Sequence, residues 1–533
     1  MKLLYKIIMI GLLFVLCFTT TVTANDQIDN NLNTTQEYGI EDVNPIANTK
    51  TFNDIANLIS GASAGSTIYL NGDTYIGSGS HINIGKSLTI DGQGATLDAQ
   101  QKSRIFNVPN GVTVILKNIK FINGKATGTG VCGGAIYVDN AKLTVNNSTF
   151  NNNKATESGG AIFVNDNGSL HVTNSNFTSN SVDNNGGGAI LISRNSNDNN
   201  IVDCNFIDNT ATWGGAVYTG YSTVGSASIT GCTFTNNVAR NAGGGVLSRF
   251  ALAVNNSTFI GNRALNADGG GAIIEWEGSN SIKISNSTFT SNTASGKGGA
   301  VHGKGTGNME ITNSTFTSNT ASSNGGAICS GGAVTVIDSE FKQCNANSGK
   351  DVYANGQNVN LICNDYDNKI KYGNGEVIGN VVKYVVSGTF AEVQYRIDST
   401  PNNGVLNLEN KKYTADDKDT TITVNKNITI NGQGSILEAD KKFRTMNVAN
   451  VNVTLKNINF INGYATGTTA ENDGGAIRTT GGNITLINST FANIHANRFG
   501  GVIYSNNGNL TVTNSTFINT TASTCGAIYS NGI

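Results

Sequence analysis

The sequence predicts an all-β protein built as a parallel β-helix, a solenoid in which short strands stack coil upon coil. Two phrases alternate along the chain: Gly-Gly-Ala-Ile, or a close variant, and Asn-Ser-Thr-Phe-x-x-Asn, whose phenylalanines recur every 25 to 30 residues from Phe150 to Phe341. Between them, apolar and polar residues alternate over short runs, which is the periodicity of strands separated by turns. One such repeat cannot bury its apolar face alone, whereas stacked copies bury it continuously.

Each phrase has a predicted place in the coil. The paired glycines permit a tight corner. Asparagine after the phenylalanine suits a turn, because it tolerates left-handed backbone and because stacked amides can bond between coils. These asparagines are Asn153, Asn180, Asn209, Asn237, Asn262, Asn292 and Asn319. A β-propeller blade needs about 40 or more residues, so the repeat is too short for one.

The composition agrees with this fold class and excludes others. The 533 residues include 65 Gly and only 3 Pro, and only 13% are charged. Residues that favour long helices are scarce, which argues against helical bundles, Rossmann-type enzymes and coiled coils. The net charge of -2 gives no basic excess for binding nucleic acid or an anionic membrane.

The first 24 residues are predicted to be a secretory signal peptide. Lys2 and Lys6 give a basic start, an apolar run covers residues 7–18, and Ala24 offers a small residue for cleavage. The apolar run is too short for a good transmembrane span. No other apolar segment of the sequence is long enough to span a membrane. Residues 25–50 are polar and unpatterned, and we interpret them as a linker. The sequence therefore predicts a protein that is secreted or held at the cell surface.

The rest of the chain is predicted to form two tandem solenoids. Residues 88–94 match 428–434 almost exactly in type, so the start of the first solenoid returns later in the chain. Each start carries apolar residues at helical spacing, which predicts a short helix that caps the first coil and shields its strand edges. The predicted divisions are a first β-helix domain at 51–365, a connector at 366–388 and a second β-helix domain at 389–533. Because a solenoid needs a terminal cap, we expect the second domain to be truncated.

The alternation of Gly-Gly-Ala-Ile, as at 133–136, with Phe-x-x-Asn, as at 150–153, resembles the repeat of chlamydial-type polymorphic outer-membrane proteins. The export signal, the Asn-rich coils and the duplicated start are similar to the adhesin-like surface proteins of methanogenic archaea. The resemblance covers about residues 51–533. It implies a right-handed β-helix of the pectin-lyase-like type and a role in cell adhesion. No autotransporter barrel, wall anchor or Ig-like module is visible.

The fold also hosts polysaccharide-cleaving enzymes, so a catalytic cluster has to be sought among the residues themselves. The best cluster is formed by Arg249 and Glu275, which follow equivalent glycines in adjacent repeats, with Trp276, Glu277 and His302 nearby. A hydrolase would use Glu275 and Glu277 as acid and base. The alternative is a cross-coil Arg-Glu pair on a solvated turn, which is the interpretation adopted. No catalytic residue, cofactor or metal ligand is assigned, although Asp183, Asp268 and Asp473 precede glycine corners and could bind calcium.

Two further sets of residues are candidates for function. The residues Tyr137, Phe163, Leu191 and Tyr218 follow the glycine phrase in consecutive coils, and we name them the aromatic stripe. If the stripe faces outward, it can stack on sugar rings or dock a protein, and the alternative is packing between coils. Cys204 and Cys232 replace the usual serine two residues before the repeat phenylalanine. They are predicted to lie one coil apart, either as a disulfide or as two buried thiols.

The functional hypothesis from the sequence is a non-catalytic, adhesin-like protein that is not an enzyme. Its predicted partners are glycans or proteins on other cells, with no nucleic acid, and the chain is expected to be a monomer without a cofactor. One alternative is a carbohydrate-active β-helix enzyme, either a polysaccharide lyase or a glycoside hydrolase. Another is a structural stalk at the cell surface. A compact set of reactive side chains from adjacent coils would favour the enzyme.

Overall fold

The computed structural model describes residues 50–532 apart from 129–130, 197, 222–224, 277, 279, 367–376, 467–468 and 470–471. These residues form a parallel β-solenoid of about 17 coils with two α-helices, which confirms the predicted fold class. The predicted signal peptide and all but the last residue of the linker lie outside the described residues. No helix in the described part of the chain is long and apolar enough to cross a bilayer.

Most coils of the first half contribute one strand to each of four ladders of parallel strands. The glycine ladder follows the Gly-Gly corner: Ile136–Val138, Ile162–Val164, Ile190–Ile192, Val217–Thr219, Val246–Ser248, Ile273–Glu275, Val301–Gly303 and Ile328–Ser330. The central ladder comes next: Lys142–Asn146, Ser169–Thr173, Asn199–Val202, Ser226–Thr230, Ala251–Asn255, Ile282–Ser285, Met309–Thr312 and Val334–Ile337.

The other two ladders complete the coil. The phenylalanine ladder is Thr149–Asn151, Asn176–Thr178, Asn205–Ile207, Thr233–Thr235, Thr258–Ile260, Thr288–Thr290, Thr315–Thr317 and Glu340–Lys342. The short ladder is Lys125–Ala126, Lys154–Ala155, Ser181–Val182, Thr210–Trp213, Val238–Ala242, Arg263–Ala264, Thr293–Ala294 and Thr320–Ala321. Before these coils come Lys50–Thr51, Thr67–Tyr69, Thr74–Ile76, Ile82–Asn83, Leu88–Asp98, Phe106–Val108 and Thr113–Ile122, and after them come Val352–Tyr366 and Val377–Val386.

The coils after residue 400 form three separate parallel sheets. The first is Gly404–Asn407, Ile428–Asn431, Val453–Lys456, Ile484–Ile487 and Leu510–Thr513. The second is Lys412–Thr414, Ile436–Glu438, Asn459–Ile461, Tyr464–Ala465, Thr490–Ala496 and Thr516–Thr521. The third is Ile422–Val424, Met446–Val448, Ile477–Thr479, Ile503–Asn506 and Ile528–Asn531. The domain boundaries given above stay a prediction.

Two helices, α1 (Phe52–Gly61) and α2 (Phe390–Ser399), stand where the sequence predicts them. Helix α1 buries Phe52, Ile55 and Ile59 against the first coils. Helix α2 also buries a carboxylate: Glu392 bonds to Arg396 at 2.8 Å and to Lys411 at 2.9 Å. Arg396 reaches Asp338 of the preceding coils at 2.9 Å. An ion-pair network therefore joins helix α2 to the coils before it.

The Gly-Gly corners need glycine at both positions, as Gly298 and Gly299 illustrate. Gly298 has a φ of +62°, which L-residues with a Cβ rarely adopt. A Cβ on Gly299 would lie 2.1 Å from the carbonyl oxygen of Gly326 in the next coil. The corner therefore combines a left-handed turn with a close approach of two backbones, as the sequence predicts.

The repeated phenylalanines form one continuous stack in the core. Their ring centroids lie 4.6 to 5.0 Å apart in consecutive coils. The stack runs through Phe121, Phe150, Phe177, Phe206, Phe234, Phe259, Phe289, Phe316 and Phe341. Because aromatic residues bury large apolar surfaces and stack favourably, this column is the main apolar determinant of the coil register.

The asparagines after the phenylalanines form a buried ladder that runs beside the phenylalanine stack. Each side-chain NH2 group donates to the Oδ1 of the next asparagine at 2.9 to 3.0 Å. Each Nδ2 also donates to the carbonyl oxygen of a phenylalanine one coil back, as Asn237 does to Phe206. The predicted bonding between coils is thus present. The left-handed residue, however, is the one before, such as Asn236 with a φ of 54°, because the ladder asparagine itself points into the core.

Cys204 and Cys232 are stacked free thiols in adjacent coils. They occupy a ladder otherwise made of serines, in which each side chain accepts a backbone N–H from the coil before. Cys204 N–H donates to the Sγ of Cys232 at 3.4 Å, and Cys232 N–H donates to the Oγ of Ser257 at 3.1 Å. No disulfide joins Cys204 to Cys232, so the structure has the alternative of two buried thiols.

We expect the double substitution C204S/C232S to leave the melting temperature nearly unchanged under both oxidising and reducing conditions. Serine restores the pattern of the neighbouring coils, so the free energy of unfolding should change by about 1 kcal/mol or less. Loss of a native disulfide would instead cost about 2 to 5 kcal/mol. Thermal unfolding of both proteins with and without reductant distinguishes the two; a drop confined to the oxidised state would contradict the thiol assignment.

Candidate functional site

The outer face of the glycine ladder carries one residue per coil in a continuous column. The strand register places the aromatic stripe in this column and continues it through Leu247, Ile274, His302, Cys329 and Tyr353. The column therefore begins with apolar residues and ends with polar or reactive ones. The change occurs at His302, and it marks the place where a pocket opens.

The aromatic stripe is not an exposed surface. Phe163, Leu191 and Tyr218 are at most 6% exposed, and Tyr137 is half-buried. Phe163, Leu191 and Tyr218 belong to a second apolar core. This core also contains Ala242, Leu247, Ile274 and Trp276, and the partly buried Cys132, Tyr137, Trp213 and Tyr221 pack against it. The stripe lies on the face of the strands turned away from the main core, but the turns that precede the glycine corners cover it. Packing between coils therefore accounts for these residues, and they offer no open ring face to a sugar.

The pocket that follows the covered stripe has a volume of about 320 Å³ and mixes polar and apolar walls. Its lining is Ala267, Asp268, Lys297, His302, Gly303, Lys304, Cys329, Ser330, Gly331 and Tyr353. Four successive coils supply these residues, when each coil is counted with the turn before its glycine corner. His302, Cys329 and Tyr353 lie directly opposite one another on successive strands, about 4.8 Å apart at each step. The pocket thus brings a base, a thiol and a phenol into one line.

His302 has a defined tautomer. Its Nδ1 lies 2.6 Å from the backbone carbonyl oxygen of Asp268. A carbonyl can only accept, so Nδ1 carries the proton and Nε2 keeps a lone pair. Burial of the ring lowers the pKa of His302 to about 4. The imidazole is therefore neutral at pH 7, and Nε2 can accept a proton or a hydrogen bond from a ligand in the pocket.

Lys304 brings a fixed positive charge to the same pocket. Its ammonium lies 3.0 Å from Oδ1 of Asp268 and 3.6 Å from the centre of the Trp276 ring. These two contacts hold the charge in place, because the ring face attracts a cation and the carboxylate anchors it. Lys297 adds a second, exposed ammonium. With His302 neutral, the two lysines outweigh Asp268, so the pocket favours an anionic ligand.

Arg249 and Glu275, predicted to pair across adjacent coils, do not lie opposite each other in the structure. Ser248, not Arg249, lies opposite Glu275 in the strand register. Because three consecutive glycines occupy 243–245, the Gly-Gly phrase of this repeat can be aligned with that of the next repeat in two ways that differ by one residue. Glu275 is buried, and its Oε2 accepts a hydrogen bond from the backbone N–H of Gly305 at 3.0 Å. It thereby supports the turn that carries Lys304.

The other members of the predicted cluster divide between the pocket and its surroundings. His302 lines the pocket, and Trp276 holds Lys304, whereas Arg249 is half-buried and does not line the pocket. Glu277 lies outside the described residues. Lys297, Lys304, Cys329 and Tyr353 were not predicted. Continuing the outward column of the stripe coil by coil would have reached Cys329 and Tyr353.

The aspartates considered for calcium are each paired with a cation. Asp183 bonds to Lys154 at 2.9 Å, and Asp268 bonds to Lys304. Asp473 lies 3.7 Å from the guanidinium of Arg498. One group in the described chain, Asp338, Cys363 and Glu392, has ligand atoms within 4.8 Å of one another. Since both Glu392 oxygens already accept hydrogen bonds from cationic side chains, this group is the ion-pair network of helix α2.

The repeats themselves are of a known type. The repeat of the Chlamydia polymorphic membrane protein (Chlamydia_PMP) matches residues 147–165, 203–220, 286–304 and 313–331. The solenoid therefore contains repeats of this type, as the sequence resemblance predicts. The match at 286–304 ends at Lys304, within the pocket. No curated protein is significantly similar to the chain in sequence.

Several solved structures are similar to the chain in overall fold. The PL6 family alginate lyase AlyGC is 14% identical over 88% of this chain and 80% of its own, with a TM-score of 0.34. The complex of alginate lyase AlyF-OU02 with G6 is 11% identical over 83% of this chain and 84% of its own, with a TM-score of 0.32. A PL6 alginate lyase complex with trisaccharide has 12% identity, coverages of 83% and 84%, and a TM-score of 0.33.

These comparisons correct the main functional prediction. The matching structures are named as alginate lyases, which belong to the class of the alternative prediction, a carbohydrate-active β-helix enzyme, and not to the class of non-catalytic adhesins. With identities of 11 to 14% and TM-scores of 0.32 to 0.34, the likeness concerns the fold alone. Any catalytic role has to come from the side chains of this chain.

Proposed function

We propose that the chain is a carbohydrate-active β-helix that cleaves an anionic, uronate-containing polysaccharide in the pocket of His302 and Lys304. The observation that carries this proposal is the neutral His302, whose Nδ1–H is held by the Asp268 carbonyl beside a fixed ammonium. A base next to a charge that pairs with a carboxylate suits β-elimination, in which the proton next to that carboxylate is removed.

The proposed step needs no cofactor and balances within the pocket. Nε2 of His302 takes the proton from the sugar carbon that bears the carboxylate. Lys304, with Lys297, stabilises the negative charge that develops on that carboxylate. The electron pair forms a carbon–carbon double bond as the glycosidic carbon–oxygen bond breaks. The leaving oxygen receives a proton from the phenol of Tyr353, which lies two coils beyond His302 in the same column.

We also propose that the protein acts outside the cell. The predicted signal peptide at residues 1–24 supports export. The matched repeat takes its name from a membrane protein of Chlamydia, which is consistent with a surface location. A secreted or surface-held lyase would meet polysaccharides of other cells directly.

Incubation of the full chain with alginate, pectate and hyaluronan tests the proposed reaction. We expect at least one polyuronate to yield unsaturated ends, measured by ultraviolet absorbance, while neutral xylan and mannan yield none. A product with reducing ends but no unsaturation would indicate hydrolysis and would contradict the elimination step. No cleavage of any polyuronate across the pH range would overturn the proposed function.

A further inference from the structure

A second groove lies on the coils after residue 400, away from the pocket of His302. It has a volume of about 320 Å³ and is lined by Asn403, Asn427, Ile428, Thr429, Asn452, Val453, Thr454, Asn483 and Thr485. We name it the asparagine groove. None of its lining residues is ionisable, in contrast to the lysine-lined pocket. Its side chains repeat once per coil, about 4.8 Å apart.

The asparagines of this groove are held in one orientation. Oδ1 of Asn427 accepts a hydrogen bond from the backbone N–H of Asn452 at 2.9 Å. Oδ1 of Asn452 accepts one from the N–H of Asn483 at 3.0 Å, and Oδ1 of Asn483 accepts one from the N–H of Asn509 at 3.1 Å. The hydrogen bond to Oδ1 therefore fixes the orientation of each side-chain amide. Among the described residues, no protein acceptor takes up the NH2 groups of Asn427, Asn452 and Asn483.

Asparagines in two other columns of the solenoid use their NH2 donors within the protein. In the buried ladder, each NH2 group donates twice within the protein. On the exposed corner of the first coils, the NH2 of Asn313 donates to Oδ1 of Asn286 at 2.8 Å, and the NH2 of Asn286 donates to Oδ1 of Asn255 at 2.8 Å. The asparagine groove is thus different: its amides are oriented by the backbone, and their donors stay available.

We propose that the asparagine groove binds a neutral polysaccharide chain that runs along the solenoid axis. The oriented NH2 groups donate to sugar hydroxyl or ring oxygens. The hydroxyls of Thr429, Thr454 and Thr485 line the same groove and can donate or accept. Because the amides are held before binding, little conformational entropy is lost on binding. A groove without charge has no counter-ion for a uronate, so its ligand class differs from that of the His302 pocket.

Affinity electrophoresis of the full chain in gels that contain mannan, xylan or mixed-linkage β-glucan tests this proposal. Asn427, Asn452 and Asn483 each begin an Asn-x-Thr sequon, so the protein is produced in a host without N-glycosylation. We expect at least one neutral polysaccharide to retard the protein. The variant N452D/N483D keeps an oxygen for each backbone N–H but removes two NH2 donors, and we expect it to weaken retardation about ten-fold or more.

Two further proteins complete the experiment. N452S/N483S keeps an acceptor of the kind seen where Ser87 accepts the N–H of Thr113. It replaces each NH2 group by a single, shorter hydroxyl donor, so it should weaken the same contacts without adding charge. N286D/N313D is the matched control on the self-satisfied column and should bind like the parent. Retardation that persists in both groove variants, or no retardation by any neutral polysaccharide, would overturn the proposal. Because His302 does not line the asparagine groove, H302N should leave retardation unchanged. This result would show that the groove binds independently of the proposed lyase reaction.

Discussion

Substitution of His302 by asparagine is expected to reduce the cleavage rate of the polyuronate substrate by about 10² to 10⁴-fold, the usual contribution of a general base. Asparagine places an NH2 group where Nδ1 lies, so it can keep the hydrogen bond to the Asp268 carbonyl. It has no counterpart of Nε2. The variant therefore separates the base from the structural role of the ring, and kcat should fall more than KM rises.

The pH dependence of cleavage provides a second readout for His302. Its pKa is lowered to about 4 by burial, so the proton-accepting form is present above that pH and lost below it. The rate should therefore stay constant between pH 5 and 7 and fall as the pH drops through about 4. An unperturbed histidine would lose activity near pH 6.5. A profile that falls near pH 6.5 would contradict the buried, neutral imidazole.

The control for H302N is H171N, which changes an exposed histidine of the central ladder. Its Nε2 lies 3.1 Å from a carboxylate oxygen of Asp198, and it lines neither described pocket. This variant should cleave at the parent rate. If H302N also retains the parent rate while the parent cleaves a polyuronate, the pocket is not the site of reaction. That outcome would contradict the role of His302 without contradicting lyase activity itself.

The sequence predicts the fold well because each sequence repeat corresponds to one coil of the solenoid. Each Gly-Gly phrase marks a corner and each Phe-x-x-Asn phrase marks a core column, and both are short local patterns. The predicted strand register is wrong at residues 243–245, because three consecutive glycines allow the Gly-Gly phrase to be aligned at two positions. There, the repeat pattern predicts Arg249 opposite Glu275, whereas the strand register places Ser248 opposite Glu275. A shift of one residue also exchanges the two faces of a strand.

The site is harder to predict because it depends on what covers the strands. Alternation along a strand shows that Phe163 and Tyr218 face away from the core, but it cannot show that the turns before the corners fold over them. The same covering layer ends near His302, which leaves Lys304 and Tyr353 open to solvent. This depends on the lengths and contacts of individual turns, and those differ from coil to coil. Only His302 of the pocket lining could be anticipated as part of a reactive cluster.

Substitution of Asn237 by alanine is expected to destabilise the solenoid by about 3 kcal/mol or more. Asn237 is fully buried in the middle of the asparagine ladder. Its NH2 donates to the Phe206 carbonyl and to Oδ1 of Asn262, both at 2.9 Å. Its Oδ1 accepts from the backbone N–H and the NH2 of Asn209. Alanine removes all four bonds and leaves buried partners unsatisfied, each at a cost of about 1 to 3 kcal/mol.

Urea unfolding of the full chain gives the free energy of unfolding of N237A relative to the parent. N313A is the matched control. Asn313 belongs to the exposed corner column, where water can replace the lost bond, but its φ of 44° is a left-handed conformation that disfavours alanine. N313A should therefore lower the free energy of unfolding by only about 1 kcal/mol. Because coils contact mainly their neighbours, N237A should unfold the coils around the substitution first. Equal stability of N237A and N313A would contradict the conclusion that the buried ladder holds adjacent coils in register.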